Sequence, residues 1–265
     1  GTGYDYATAK YNSAGVQQWA SRYNGTGNNE DKAATLVIDD TGNVYVTGYS
    51  RNGSTTATQD YATVKYNIHG VEQRTVRYDG PGNELDQASS IAVDDLGNVD
   101  VTGWSTLSGT NWDYATIKYN SSGVQQWVER YNGPGNGNDL AHSIAVNDSG
   151  NVYVTGESWG GGTHFDYATI KYNSLGSEKW ASRYNGSGNN EDRAFDLALD
   201  GLGNAYLTGY SYGAGLTYLD YATVKYNTLG FEQWAARYNG PGDNWDQAYS
   251  IAVDGMGNVY VTGLS

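Results

Sequence analysis

Oxygen-bearing side chains recur in one glycine-rich segment, where their spacing could hold a divalent cation. The first copy contains Asn24, Asn28 and Asp31, and the same three positions return in four further copies. Calcium takes about six to eight oxygen ligands, whereas each copy offers few side chains and includes at least one neutral amide. Asn and Asp also hold turns by hydrogen bonding to nearby backbone N–H groups. We therefore expect no cofactor in most copies, with calcium as a weak possibility.

Two copies of this segment are more acidic than the rest and are the candidates for weak calcium binding. The second copy contains Asp79, Glu84 and Asp86, and the fifth contains Asp243 and Asp246. In the other three copies the last aspartate is predicted to have a structural role in the turn; these residues are Asp31, Asp139 and Asp192.

Ionisable residues outside the repeated pattern are few, which argues against catalysis because an active site needs different groups converging on one point. They are His69, His142, Glu157, His164 and Asp196. No histidine pair has metal-binding spacing, and no Gly-x-Ser-x-Gly motif occurs. Asp196 replaces the Ser or Thr of the other copies, which leaves a glycoside-acting enzyme as a distant alternative. The prediction is that the chain is not an enzyme and has no catalytic residues.

Aromatic residues in a segment that differs between copies are the stronger candidates for ligand contact. Such rings among glycines can stack on sugars or anchor a protein interface, although they can also simply shield the fold. The candidates are Tyr4, Trp104, Trp112, Trp159, Phe165, Tyr210, Tyr212 and Tyr218. They predict a binding face for a protein partner or, alternatively, for a polysaccharide.

All these residues are positioned by a unit that occurs five times. The phrase Asp-Tyr-Ala-Thr begins at Asp5, Asp60, Asp113, Asp166 and Asp220. A period of about fifty residues indicates a solenoid, a propeller or an array. Each unit contains an alternating strand, a glycine turn, a second strand, the polar loop, and two apolar strands joined by a hairpin turn. Four strands per unit predict the blade of a β-propeller.

The phase of the repeat predicts how this fold closes. The chain begins with two outer strands of a blade and ends with two inner strands. We therefore predict an all-β, five-bladed propeller of antiparallel four-stranded blades in a single domain, 1–265. Its last blade would join residues 249–265 to residues 4–23 and leave no long sheet edge exposed. The alternative is pairing of these half-blades between molecules, which gives a ring or an open filament.

One tryptophan position also recurs and is predicted to be structural. It is occupied by Trp19, Trp127, Trp180 and Trp234, and by Arg74 in the second unit. A buried indole supplies a large contact area, so each tryptophan is expected to pack against the next blade. An arginine recurs nearby and is expected to pair with a repeated aspartate, for example Arg22 with Asp5 or Asp31.

The combined motif identifies a family resemblance. Asp-Tyr-Ala-Thr-x-Lys-Tyr-Asn, Gly-x-x-x-Trp, Ile-Ala-Val-Asp and Gly-Asn-Val-Tyr-Val-Thr-Gly together resemble the bacterial SBBP repeat. That family is named for seven-bladed β-propellers, whereas this chain has five units. Similar proteins are mostly large secreted or surface-associated bacterial proteins, so the resemblance implies an extracellular or cell-surface location.

Charge and composition exclude several classes of partner. The net charge of −14 and the isoelectric point near 4.4 argue against nucleic acid and anionic lipid. No apolar run is long enough for membrane insertion, and the absence of cysteine excludes disulfides. The sequence therefore predicts a non-catalytic module for protein–protein interaction or self-assembly at the cell surface. A multivalent, lectin-like propeller is the alternative.

Overall fold

Antiparallel β-strands form the regular structure of this protein. A computed structural model describes residues 3–52, 58–107, 111–214, 218–242 and 244–265. The calcium candidate Asp243 lies outside the described residues. Within these ranges no helix is long and apolar enough to cross a membrane.

The chain divides into two compact units, Gly1–Val128 and Glu129–Ser265. The strands that begin in the first unit are β1 (Tyr6–Tyr11), β2 (Gln17–Tyr23), β3 (Asp31–Ile38), β4 (Val44–Arg51), β5 (Gln59–Tyr66), β6 (Glu72–Tyr78), β7 (Asp86–Val93), β8 (Val99–Thr106), β9 (Trp112–Tyr119) and β10 (Gln125–Tyr131). Those of the second unit are β11 (Asp139–Val146), β12 (Val152–Trp159), β13 (Phe165–Tyr172), β14 (Glu178–Tyr184), β15 (Asp192–Leu199), β16 (Ala205–Tyr212), β17 (Leu219–Tyr226), β18 (Glu232–Tyr238), β19 (Gln247–Val253) and β20 (Val259–Leu264).

These strands form four sheets of four strands and two sheets of two strands. The four-stranded sheets are β3–β6, β7–β10, β11–β14 and β15–β18, and each runs in chain order. This meander is the four-stranded blade predicted from the repeat, and we letter its strands a to d in chain order. The two-stranded sheets are β1–β2, which correspond to strands c and d, and β19–β20, which correspond to strands a and b.

The predicted closing blade is not joined by strand pairing within the described residues. In the described part of the chain β20 pairs only with β19 and β1 pairs only with β2, so four blades are complete instead of five. The residue pattern of two strands fixes their pairing register once the strand edges lie side by side. Whether the edges of β1 and β20 lie side by side depends on the twist accumulated over all the sheets between them, which no single repeat encodes.

Strands b and c carry the core of each sheet because both of their faces are covered. In β4 every residue from Val44 to Ser50 is buried, and β12 shows the same pattern. The one polar layer between these strands is satisfied internally. In each complete blade a threonine of strand b shares a hydroxyl hydrogen bond with one of strand c, as in Thr47 and Thr63 at 2.9 Å. Both buried hydroxyl groups at this position therefore have a hydrogen-bond partner.

Short Asx turns connect the strands. In the a–b turn the Asp39 carboxylate accepts hydrogen bonds from the backbone N–H groups of Thr41 and Asn43. Burial by itself would raise the pKa of Asp39, but hydrogen bonds from Asn43 and Thr41 outweigh it and hold that pKa below its usual value. In the c–d turn Gly70 has a φ of 77°, a left-handed conformation that favours glycine.

Candidate functional site

The repeated polar loop between strands d and a is held by its last aspartate. In the first copy Asp31 accepts a hydrogen bond of 2.6 Å from the backbone N–H of Gly25. The equivalent bonds to Asp86, Asp139, Asp192 and Asp246 measure 2.6–2.8 Å. The Asn24 amide also donates to the Asn28 side chain at 2.7 Å. These contacts are those expected of side chains that hold a turn.

The second copy of this loop differs because it gathers three carboxylates. Ligand oxygens of Asp60, Asp79 and Asp86 all lie within 4.8 Å of one another, a spacing at which they could hold a metal ion. Burial raises the pKa of Asp79 and of Asp86, and the neighbouring carboxylates add to both shifts. Asp60 also pairs with Arg77 at 3.0 Å. Glu84, a candidate from sequence, is not a member of this group.

Two of the predicted aromatic residues form a stacked pair at the end of β8 and β9. The rings of Trp104 and Trp112 have centroids 4.7 Å apart at an angle of 31°. In the second unit Trp159 lies opposite Phe165 on β12 and β13, with centroids 5.2 Å apart. All four rings are partly exposed.

The remaining aromatic candidates differ from one another in solvent exposure. Tyr4 and Tyr218 are exposed, and Tyr212 is half-buried at the end of β16. Tyr210 is buried and packs against Phe195 with ring centroids 5.6 Å apart. Tyr210 therefore lies beneath the surface and departs from the expectation that all these rings are exposed.

Sequence reasoning missed a convergent cluster in the second unit. Glu157 is 3% exposed and stands where the other repeats have tyrosine, tryptophan or leucine. Its Oε2 lies 3.0 Å from Nη1 of Arg193 and 3.7 Å from Nε2 of His142. The Arg193 guanidinium covers the ring of Phe165 at 4.7 Å. His142 occupies the β-bulge of β11, and such bulges re-aim side chains.

Asp196, the carboxylate singled out from sequence, links three strands. Its Oδ1 accepts a hydrogen bond of 3.0 Å from the Ser143 hydroxyl of β11. Its Oδ2 accepts bonds from the Ser250 hydroxyl at 3.1 Å and the Ile251 N–H at 3.0 Å, both on β19. The Asp196 carboxylate therefore links β15 to β11 and to β19, each of which is the first strand of its sheet.

The repeated tryptophans and arginines connect sheets and strands within each unit. The Trp19 indole N–H donates to the carbonyl of Ile68 at 3.0 Å, and Trp180 makes the same contact with Thr228 at 3.1 Å. The repeated arginine pairs with the aspartate that begins strand c, as in Arg183 and Asp166 at 2.8 Å. Trp127 is buried, whereas Trp234 is 37% exposed.

Comparison with known proteins identifies the repeat from which this architecture is built. Residues 18–53, 182–217 and 233–265 match the SBBP beta-propeller repeat. These three segments are SBBP repeats. No curated protein matches the chain. The resemblance drawn from its repeated motifs is therefore confirmed.

Two solved structures share the fold of the SBBP chain. A periplasmic gluconolactonase of Pseudomonas aeruginosa aligns with a TM-score of 0.56 at 13% identity, over 96% of this chain and 70% of that one. A protein of unknown function from Dyadobacter fermentans aligns with a TM-score of 0.52 at 8% identity, over 83% of this chain and 71% of that one. At these identities the likeness shows the fold alone.

The gluconolactonase corrects one prediction. The sequence predicted that the chain is not an enzyme, on the ground that repeated carboxylates spread around a propeller do not converge. An enzyme is among the structures that share this fold, so that prediction is contradicted. In addition, the non-repeated residues His142 and Glu157 converge with Arg193 in the second unit.

Proposed function

We propose that this chain is a binding module that contacts another protein through partly exposed aromatic rings at the ends of strands b and c. The observation that supports the proposal is the pairing of Trp104 with Trp112 and of Trp159 with Phe165, whose ring centroids lie 4.7 Å and 5.2 Å apart. All four rings are partly exposed. Burying such rings stabilises a protein interface.

We also propose that the module acts in the periplasm or outside the cell. The SBBP repeat resembles those of secreted and surface-associated bacterial proteins, and the gluconolactonase that shares the fold is described as periplasmic. Fractionation of cells that express the native protein tests this location. Recovery of the protein with the cytoplasmic fraction would contradict it.

Self-association through these rings is tested by light scattering over a range of protein concentrations. We expect the parent chain to form species larger than one chain, and Trp104→Ala to shift them toward single chains. Tyr11→Ala, at an exposed position outside both ring pairs, is the control. A parent chain that stays monomeric throughout would contradict self-assembly through these rings.

A sugar-directed site is the second candidate function, and the paired aromatic rings favour it. The Trp104 and Trp112 rings lie at 31° to each other, whereas the Trp159 and Phe165 rings meet edge to face at 72°. Partly exposed aromatic rings can stack on sugars. The gluconolactonase that shares the fold is named for action on a sugar lactone. Both polysaccharide binding and lactone hydrolysis should therefore be assayed.

The matched variants for this second candidate are Trp104→Ala, Trp159→Ala and Tyr218→Ala. Loss of a stacked ring should weaken sugar binding by about tenfold, since stacking contributes about 0.5–1.5 kcal/mol beyond area burial. Tyr218 is exposed and outside both ring pairs, so its variant is the control. Binding or hydrolysis that is unaffected by either tryptophan variant would place the activity elsewhere, with the Glu157 cluster as the next site to test.

A further inference from the structure

In the sheet β7–β10 a buried lysine faces a carboxyl group, whereas the lysine of the other complete sheets faces a tyrosine ring. Strand b of this sheet carries Asp100, and the equivalent residues of the other sheets are Tyr45, Tyr153 and Tyr206. The lysine nitrogens of those sheets lie 4.6–4.8 Å from the ring centroids; these lysines are Lys65, Lys171 and Lys225. A single replacement has therefore brought an amine and a carboxyl group together.

The two groups are held in contact by the pairing of central strands. Asp100 on β8 lies directly opposite Lys118 on β9. The Lys118 Nζ lies 2.8 Å from Oδ2 of Asp100, and the side chains are 5% and 0% exposed. A second carboxylate, that of Asp94 in the a–b turn, reaches the same nitrogen with its Oδ2 at 3.3 Å. The lysine nitrogen is therefore enclosed by two carboxyl groups and little water.

We propose that Lys118 and Asp100 condense into an isopeptide bond within the chain, with Asp94 carrying the proton. The lysine and the aspartate first exchange one proton, which gives a neutral amine and a carboxylic acid. The amine nitrogen attacks Cγ of Asp100, and a C–N bond forms. Asp94 accepts the proton that the nitrogen loses and delivers it to the departing hydroxyl group. The C–O bond breaks, so the products are one amide and one water molecule.

The environments of the two carboxyl groups suit these different roles. Burial raises the pKa of Asp100, against the lowering effect of the Lys118 charge. Burial would also raise the pKa of Asp94, but hydrogen bonds from Asn98 and the charge of Lys118 outweigh it and hold that pKa below its usual value. Carboxyl groups whose pKa values are displaced in opposite directions serve as the acid and the base of one reaction. Asp100 is therefore the group that takes up a proton, and Asp94 remains the base.

An unsatisfied oxygen of Asp100 shows what the condensation relieves. Among the described residues its Oδ1 has no hydrogen-bond partner, although the side chain is fully buried. Taking two opposite charges out of water is costly, and their mutual attraction repays that cost only when the remaining lone pairs are satisfied. The amide is uncharged, and a buried amide oxygen without a partner costs less than a buried carboxylate oxygen. Burial therefore favours the condensed product.

The sheet also supplies the orientation that the reaction needs. β8 is paired on both sides, with β7 and β9, so the backbone that carries Asp100 is fixed. Reacting groups held in this way can reach effective concentrations of about 10⁵–10⁸ M. The repeat places the buried Trp127 next to Lys118, as Trp180 lies opposite Lys171. Excluding water from the pair protects the bond from hydrolysis.

The bond would be specific to this sheet. Lys171 donates to the carbonyl of Thr228 at 3.2 Å, and Lys10 donates to that of Ile68 at 3.4 Å. A backbone carbonyl does not condense with an amine under these conditions, so we expect one bond per chain. The sequence contains no cysteine, and the isopeptide bond would supply a covalent cross-link that disulfides cannot.

Mass spectrometry of the intact chain, incubated until its mass is constant, tests this inference. The chain should be lighter than its sequence by the mass of one water molecule. Trypsin should fail to cleave after Lys118, and fragmentation should identify a branched peptide that joins this residue to Asp100. A chain with its full sequence mass, cleaved normally after Lys118, would overturn the proposal. So would a loss of water located elsewhere, such as a succinimide at Asp79 and Gly80.

Two variants remove one reactant each while respecting the fold. Asp100→Tyr restores the residue of the other sheets, in which a lysine packs on the ring, and should therefore fold. Lys118→Arg keeps the positive charge but replaces the nucleophilic amine with a guanidinium group. Both variants should have the full mass of their sequences. Loss of one water molecule in either variant would show that the parent's loss does not come from this pair.

A third variant tests the part played by Asp94. Asp94→Asn should preserve the turn, because Asn147 at the equivalent position accepts the same two backbone hydrogen bonds, from Ser149 and Asn151. It removes the base, so the chain should keep its full mass although both reactants are present. Asp39→Asn, the same change in the turn of the first complete sheet, is the matched control and should lose one water molecule as the parent does. Condensation at the parental rate in Asp94→Asn would overturn the assignment of Asp94 as the proton carrier.

Discussion

At the scale of single residues, one substitution changes the chemistry of a repeated loop. Asp79 stands where other copies have asparagine, and it completes a group with Asp60 and Asp86. The three carboxylates repel one another in a partly buried place, and burial raises the pKa of two of them. A divalent cation would relieve that repulsion, although three side chains supply fewer oxygens than calcium prefers.

We therefore predict weak calcium binding at this loop, with about one ion per chain and a dissociation constant of about 10⁻⁴ to 10⁻³ M. Isothermal titration calorimetry measures both quantities. Asp79→Asn restores the composition of the other loops and should abolish the heat signal, whereas Glu84→Gln, outside the group, should preserve it. Tight binding of several ions, or a dependence on Glu84, would show that the ligands lie elsewhere.

A second prediction at this scale concerns pH. Burial is the main cause that raises the pKa of Asp192 to about 6, against the lowering effect of hydrogen bonds from Ser211 and Gly186. The ordinary value is 3.8, so between about pH 4 and 6 the folded chain holds a proton that the unfolded chain has released. The stability contributed by this group is present below that window and is lost as the pH rises through 6.

Replacing the Asp192 carboxylate should weaken the pH dependence of stability between about pH 4 and 6. We expect the loss of unfolding free energy between about pH 4 and pH 7 to be smaller in Asp192→Asn than in the parent, as measured by urea denaturation. Asp148→Asn, at an exposed turn position, is the control. A parent-like pH profile in Asp192→Asn would show that Asp192 does not titrate in this window.

At the scale of elements, each blade is joined to the next by its c–d turn. Gly70 has a positive φ and lies under the Trp19 indole, so a side chain there meets both backbone strain and steric overlap. Gly15 has the same φ of 77° but open space around it. Comparing substitutions at Gly70 and Gly15 therefore separates the free-energy cost of backbone strain from that of steric overlap with the indole.

We predict that Gly70→Ala destabilises the chain by more than Gly15→Ala does. Backbone strain should cost about 1–2 kcal/mol in each variant, and displacing the indole should add about 1–3 kcal/mol in Gly70→Ala alone. Urea denaturation at high dilution, where assembly is absent, measures the difference. Equal losses in the two variants would mean that the Trp19 contact contributes little to stability.

At the scale of the whole molecule, the proposed self-association couples stability to protein concentration. A partner that binds the folded chain and not the unfolded chain raises the stability of the folded state by mass action. For a chain that binds copies of itself, that partner is the chain at its own concentration. Dilution should therefore lower stability without any change in sequence or solvent.

The melting temperature of the parent chain should rise with protein concentration for this reason. Trp104→Ala removes a ring from the proposed interface and should weaken this dependence on concentration. Tyr11→Ala removes an exposed ring outside both ring pairs and should behave as the parent does. A parent chain whose melting temperature is constant over the same range would contradict the prediction.

The sequence by itself determined the repeat, its four strands and their turns. These features are local: alternation between Tyr6 and Thr8 marks a strand, and the Asp39 turn is closed by hydrogen bonds to residues within four positions. The family followed from the same local pattern, since a repeated motif needs no knowledge of how sheets meet. The predicted salt bridge between Arg22 and Asp5 likewise involves two strands of one hairpin.

Only the tertiary structure decided which side chains converge. The pairing of β1 with β20 was predicted from complementary strands, but whether two edges meet depends on the summed twist of the sheets between them, which no one motif records. His142, Glu157 and Arg193 meet through a bulge and through packing between adjacent sheets, at positions whose residue type changes from repeat to repeat. Packing brings residues together that are distant in sequence. A periodic sequence therefore predicts the structure of one blade far better than it predicts the arrangement of the blades.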